Sequence, residues 1–153
     1  MKILYICTHN RCRSILSEAV TNHRAGDVLT ARSAGSQPAG EVHPLTLVHL
    51  AEAGISTTGL KSQSWDDFEA FAPDVVITLC DSAAGESCPV WFGQAIKVHW
   101  GLKDPSRLDG EAAAEAFRDT LRIIERRVDG LAAIAHMDRH QWPDAIRALV
   151  ADA

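Results

Sequence analysis

Cys7, Asn10, Arg13 and Ser14 fall within the short stretch CTHNRCRS, directly after an apolar run and directly before a helical pattern. A loop that leaves a strand and opens a helix presents backbone N–H groups to whatever sits above it. The helix dipole adds partial positive charge, so the loop is an anion site. Cys7 begins that loop and Arg13 ends it. N–H donors and a guanidinium stabilise a thiolate, and the guanidinium can grip two oxygens of a tetrahedral oxyanion as a fork. A thiolate beneath a bound oxyanion is a nucleophile aimed at its central atom. Ser14 can donate a hydrogen bond to that thiolate. A lone cysteine at a strand end is more often a small buried core residue. Asn10, Arg13 and Ser14 at this spacing favour the nucleophile.

Three further residues carry candidate chemistry. Asp104, in Asp104-Pro105-Ser106, is either a turn residue before proline or a proton donor to a leaving oxygen beside the anion site. Cys80 and Cys88 flank a polar, glycine-containing stretch. Their spacing is wider than the C-x2-C of zinc sites. It suits thiol–disulfide exchange, in which a thiolate attacks, a mixed disulfide forms and a second thiol resolves it. Cys12 reads as core packing, and His9 as a solvent-facing residue.

The elements that must position these residues alternate. Strands are predicted over Lys2–Ile6, Val28–Gly35, Pro73–Cys80 and Ile96–Trp100. Helices are predicted over Ser14–Ala25, capped by Ser14, over Pro44–Gly54, behind the cap Ser64, over Gly110–Ala135 and over the tail Pro143–Val150. This order predicts one α/β domain over residues 1–153. It would be a three-layer fold with a four-stranded parallel sheet, helices on both faces and flavodoxin-like winding. In such sheets the ligand crevice lies beyond the carboxyl ends of the strands. Cys7, Cys80 and the segment from Trp100 to Pro105 all fall at such ends and should meet.

The bulk numbers bound the function. The 153 residues fit one domain with one core. The formal charge of −5 argues against a nucleic-acid-binding face. No apolar run approaches the roughly 20 residues of a membrane helix. The start MKILYIC is too short and lacks a cleavage site for a signal peptide. A cytoplasmic monomer is expected. In a reducing compartment four cysteines argue for thiol chemistry or metal binding over permanent bridges.

CTHNRCRS, as C-x5-R-S after a first strand, together with Asp104-Pro105, resembles the low-molecular-weight tyrosine phosphatase family. The segment VVITLCDSAAGESCP and the stretch HWGLKDPS resemble the thioredoxin-coupled arsenate reductases built on that fold. The likeness covers about residues 2–127, leaving a helical tail from about 136 to 153. It implies that Cys7 attacks arsenate, held by the loop Thr8, His9, Asn10, Arg11, Cys12 and Arg13, while Asp104 protonates the departing oxygen. It further implies that Cys80 attacks Cys7 with release of arsenite, and that Cys88 then attacks Cys80. The resulting disulfide would await an external reductant, thioredoxin or else glutaredoxin or glutathione, with no tightly bound cofactor. The alternative is a phosphomonoesterase of the tyrosine phosphatase type, although Ser106 stands where a phosphotyrosine pocket favours an aromatic wall.

Two positions depart from the pattern. His9 stands where glycine is common, and glycine tolerates positive φ more easily. Asn10, Glu18 and Ser33 match a potassium site found near the cradle in some such reductases, but Ser64 replaces the expected carboxylate. No metal is expected.

Overall fold

The computed structural model describes residues 1–79, 93 and 95–151. Four strands form one parallel sheet: β1 (Lys2–Ile6), β2 (Thr30–Ala34), β3 (Val75–Thr78) and β4 (Ile96–His99). Their spatial order is β2-β1-β3-β4, so the chain moves one way from β1 to β2 and then back past β1 to β3 and β4. This is the flavodoxin-like winding expected, with its switch point between β1 and β3. The central strands β1 and β3 are apolar because both their faces are covered, while the edge strands β2 and β4 alternate in burial. Ile3, Leu4, Tyr5 and Ile6 are all fully buried, as are Val75 and Ile77.

The described α-helices are α1 (Arg13–Ala25), α2 (Pro44–Glu52), α3 (Gly110–Ala135) and α4 (Trp142–Ala151). They share one apolar cluster with the Ile3/Tyr5 face, through Leu16, Leu50, Phe117 and Ile146. The opposite face, with Leu4, Ile6 and Val76, packs on Phe68 of the 3-10 turn Trp65–Phe68, with Trp65 and Phe71 beside it. Helical elements thus lie on both faces. The segment behind Ser64 is a 3-10 turn rather than the longer helix expected, though Ser64 does cap it by accepting the Asp66 N–H at 3.1 Å. Strands β2 and β3 end sooner than expected, at Ala34 and Thr78.

The tail belongs to the core. Trp142 is 7% exposed and Ile146 is fully buried. Gly130, in the middle of α3, permits this approach: a Cβ there would meet Leu149 Cδ1 at 2.6 Å. Arg139 pairs with Asp74, which also accepts the Lys2 N–H at 2.7 Å. No described helix is long and apolar enough to cross a membrane.

Candidate active site

The cradle is built where β1 hands the chain to α1. Parallel pairing sets its floor: Leu79 donates its N–H to Ile6 O at 3.0 Å, and Leu102 donates to Leu79 O at 2.8 Å. The segments following β1, β3 and β4 therefore leave the sheet side by side. Cys80 and Cys88 lie outside the described residues. Cys7 is 6% exposed and donates its N–H to Ala34 O at 3.2 Å.

The loop turns its carbonyls outward. Thr8 O accepts from Gln37 N at 2.9 Å. His9 O accepts from Ala39 N and Ser62 Oγ, both at 3.0 Å. Arg11 O accepts from His43 N at 3.0 Å and Thr46 Oγ1 at 3.2 Å. With these carbonyls committed to the surrounding loops, the opposite ends of the peptide planes, the N–H groups, are left for an anion. Gly35 makes this possible. A Cβ on Gly35 would stand 2.5 Å from Thr8 O and 2.7 Å from Cys7 O, so only glycine lets β2 pass so close under the loop.

Asn10 supplies the sharp bend. It is the loop's left-handed residue, with φ 49°, a conformation asparagine tolerates better than most. It is fully buried. Its Nδ2 donates to Ser14 Oγ at 2.8 Å and its Oδ1 accepts the Gln63 N–H at 2.9 Å. His9 takes no positive φ, so the absence of glycine there carries no backbone penalty. Its Nδ1–H donates to the Gln37 carbonyl at 3.1 Å, which ties the exposed ring to the rim.

Ser14 is not the helix cap expected of it. α1 begins at Arg13, with Cys12 at the N-cap position and no side-chain cap bond. Ser14 sits buried in the first turn, where its hydroxyl accepts from Asn10 and keeps its own proton available to donate. Cys12 is buried, and burial pushes its thiol up to about 12, eased by Thr46. At neutral pH it stays protonated and is no nucleophile.

Arg13 reaches across the cradle. Its Nη1 donates to Leu102 O at 3.0 Å and its Nη2 lies 4.0 Å from Asp104 Oδ2. Its Nε is buried with no hydrogen-bond partner among the described residues. A buried guanidinium N–H left open costs about 1–3 kcal/mol, so this donor is held ready for a ligand oxygen. Asp104 caps the 3-10 turn Pro105–Arg107, as the turn reading expects, and its carboxylate also approaches Arg13. Its Oδ1 accepts from Ser106 N at 3.0 Å and Ser106 Oγ at 2.6 Å. Both Ser106 donors are on Oδ1, which leaves Oδ2 facing Arg13 Nη2 at 4.0 Å and Arg107 Nε at 3.8 Å.

The donors matched to a potassium site are already engaged. Glu18 Oε1 accepts from Ser33 Oγ at 2.6 Å, Asn10 Oδ1 is taken by Gln63 N, and Ser33 O faces Gln63 Nε2 at 3.4 Å. Burial pushes the Glu18 carboxyl up, partly offset by Ser33. One oxygen of each of the three residues is thus already committed to a donor of the protein.

Sequence reasoning missed Gly35, Gln63 and Thr46, and it missed the hydrogen bonds of Ser106 to Asp104. Only the last had a local signal, in the Asp-Pro-Ser spacing of a side chain that bonds its own backbone two residues on.

Residues 2–141 match the profile of the family described as low molecular weight phosphotyrosine protein phosphatase. The chain belongs to this family. Within it, the glutaredoxin arsenate reductase of Synechocystis sp. is 32% identical over 132 residues, covering 86% of this chain and 96% of that protein. An arsenate reductase of Bacillus subtilis is 34% identical, covering 71% and 78%. Among solved structures, an arsenate reductase in the phosphate binding state superposes with a TM-score of 0.73 at 31% identity, covering 86% and 96%. The thioredoxin-dependent arsenate reductase of Corynebacterium glutamicum gives 0.68 at 30%, covering 88% and 61%. A low molecular weight protein tyrosine phosphatase from T. tengcongensis gives 0.69 at 19% identity, covering 87% and 98%, a likeness of fold alone. The family profile runs past the expected end near residue 127 and reaches the 3-10 turn Arg139–Gln141.

Proposed function

We propose that the chain is an arsenate reductase that uses Cys7 as nucleophile and Cys80 and Cys88 as a thiol relay. The observation that carries this reading is the buried Arg13 Nε, without a partner among the described residues, on a loop whose Thr8, His9 and Arg11 carbonyls turn to neighbouring segments, with Asp104 Oδ2 at 4.0 Å from the same guanidinium. That arrangement suits a tetrahedral oxyanion with a departing, protonatable oxygen.

In this mechanism the Arg13 Nε–H and the loop N–H groups from Thr8 to Arg13 hold three arsenate oxygens. Cys7 Sγ attacks arsenic, Ser14 steadies the thiolate, and Asp104 Oδ2 gives its proton to the fourth oxygen, which leaves as water. Cys80 then attacks Cys7 Sγ. The electron pair of the S–As bond passes to arsenic, reducing As(V) to As(III), and arsenite leaves. The two thiols together supply the two electrons. Cys88 attacks Cys80, frees Cys7 and leaves a Cys80–Cys88 disulfide, which an external dithiol reduces. Leu79 precedes Cys80 and bonds to Ile6, which precedes Cys7; this register supports the transfer. The names of the relatives point to thioredoxin or glutaredoxin as reductant, and we place the enzyme, as a monomer, in the reducing cytoplasm.

The tyrosine phosphatase alternative is not favoured. The curated relatives above are arsenate reductases, and Ser106 gives no aromatic wall for a phosphotyrosine ring. The deciding experiment follows arsenate-dependent NADPH oxidation with thioredoxin and thioredoxin reductase. Turnover by the wild type and none by Cys88→Ser is expected. Mass spectrometry after one turnover should find Cys80–Cys88 in the wild type and Cys7–Cys80 in the variant. Equal turnover by Cys88→Ser would remove Cys88 from the relay, and no wild-type turnover, either with this system or with glutathione, glutaredoxin and glutathione reductase, would remove the reductase reading.

A further inference from the structure

A cavity of about 1020 Å³ opens between the loop after β4 and the first half of α3. It is lined by Arg13 and Asp104 but by no residue from Cys7 to Cys12, so it is separate from the cradle and shares one wall with it. In a chain of net charge −5, its ionisable lining is four cations, Arg13, Lys103, Arg107 and Arg127, against Asp104 and Asp119. Both carboxylates are occupied: Asp104 by Ser106 and the nearby arginines, Asp119 by Arg122.

Two of the cations carry the same defect. Arg13 and Arg127 each have a buried Nε with no partner among the described residues. Each spends one outer nitrogen on a carbonyl of the same loop, Arg13 on Leu102 O and Arg127 on Trp100 O, both at 3.0 Å. Those bonds fix the two guanidinium planes from opposite ends of a three-residue span. Arg127 also stacks over the Trp100 ring at 5.2 Å, which stiffens it further. Burial, with Arg126 nearby, pushes the Arg127 guanidinium below its ordinary value, a cost that an anion in the cavity would offset. Between these poles lie Leu102, Leu108 and Ile123, an apolar wall.

We propose that this cavity is a second anion-binding subsite, for a small elongated molecule with two or more oxyanion groups on an apolar spine. One group would meet Arg127, and the other would approach Arg13, Lys103 and Arg107. Because Arg13 also serves the cradle, in the reading given above, occupancy of the two sites is linked. The cationic lining selects anions, and the apolar wall with cations contributed from both the loop and α3 favours a molecule with more than one anionic group over a single inorganic ion.

The test reads the arginine Nε–H signals by NMR during titration with citrate, as a carboxylate probe, and pyrophosphate, as a phosphoryl probe. A saturable shift of the Arg127 signal with either probe is expected, with the responding probe naming the ligand chemistry. The shift should persist in Cys7→Ser, and inorganic phosphate should move the Arg13 signal without moving Arg127. Arg127→Lys keeps the charge but loses the Nε–H, and should weaken probe binding about tenfold. Lys103→Ala, at an exposed position, should weaken it less and needs no refolding of the core. No Arg127 shift with either probe, or a shift in step with exposed Arg24 and Arg122 as plain salt gives, overturns the subsite. Lost arsenate turnover with probe binding intact would instead overturn the reductase reading alone.

Discussion

The cradle loop and the acid loop are made differently, though Arg13 joins them. The cradle from Thr8 to Ser14 is bound on several sides: three of its carbonyls accept bonds from residues at 37–62, Asn10 is buried, and Gly35 presses against its underside. Among the described residues, the acid loop from Gly101 to Arg107 is held at fewer points. Leu102 is anchored to Leu79 and Arg13, Asp104 is held by Ser106, and a cavity lies along one side. The contrast suits the two jobs. Stabilising charge on a bound oxyanion needs dipoles fixed before the reaction. Delivering a proton needs only one oxygen in reach at the right moment.

Substitutions can break this contrast, from the most severe to the mildest. Gly35→Ala forces a methyl against two backbone oxygens that cannot yield, and should cost about 3 kcal/mol of stability and most activity. Urea denaturation and arsenate turnover read both losses; a variant with wild-type stability would show the cradle to be loose. Arg13→Lys keeps the charge but loses the fork, and turnover should fall on the order of 10²–10³-fold. Asp104→Asn should slow turnover about 10²-fold while leaving phosphate affinity at the cradle unchanged, measured by calorimetry. A large loss of phosphate affinity would mean that the acid loop helps build the anion site after all. Ser106→Ala removes one bond to Asp104 Oδ1 and should lower kcat about fivefold, with KM little changed, and Ser106→Thr should restore it.

The mildest test is at Cys12, inside the cradle. Its folded value near 12 lies above the 9.0 of an exposed thiol. The folded protein therefore binds more protons than the unfolded chain within that window. The stability is fully present below pH 9 and is lost as pH rises toward 12, at no more than about 1.4 kcal/mol per pH unit. Cys12→Ala should lessen the alkaline decline in urea titrations, most clearly between pH 9 and 10, because above pH 10 the buried Tyr5 phenol, also pushed up by burial, adds its own slope.

Much of this was legible in the sequence for a physical reason. Periodicity reports burial, and burial decides strands and helices. KILYI became β1 without change, Gly110–Ala135 became α3 without change, and the apolar stripe Ile15, Leu16, Ala19 and Val20 is buried as the pattern requires. The C-x5-R spacing placed Cys7 and Arg13 around one loop because that spacing is local. What was not legible is non-local. The grip of Arg13 on Leu102 spans 89 positions, and that of Asn10 on Gln63 spans 53. No pattern along the chain announces such pairs. The Ser14 cap failed because Asn10, four residues earlier, claims the hydroxyl that would have turned back to the helix start. The tail looked like an addition because its resemblance faded, while its burial, carried by Trp142 and Ile146, is set by contacts with α3 and β4.

Gly130 carries a consequence for where the chain tolerates change. A glycine inside a helix costs roughly 1 kcal/mol of helix propensity, and here it opens the seat for Leu149. A larger residue at 130 would gain that propensity and lose the seat, because its Cβ would stand 2.6 Å from Leu149 Cδ1. The common stabilising exchange of a helical glycine for alanine is therefore closed at this position, held shut by a side chain of another helix.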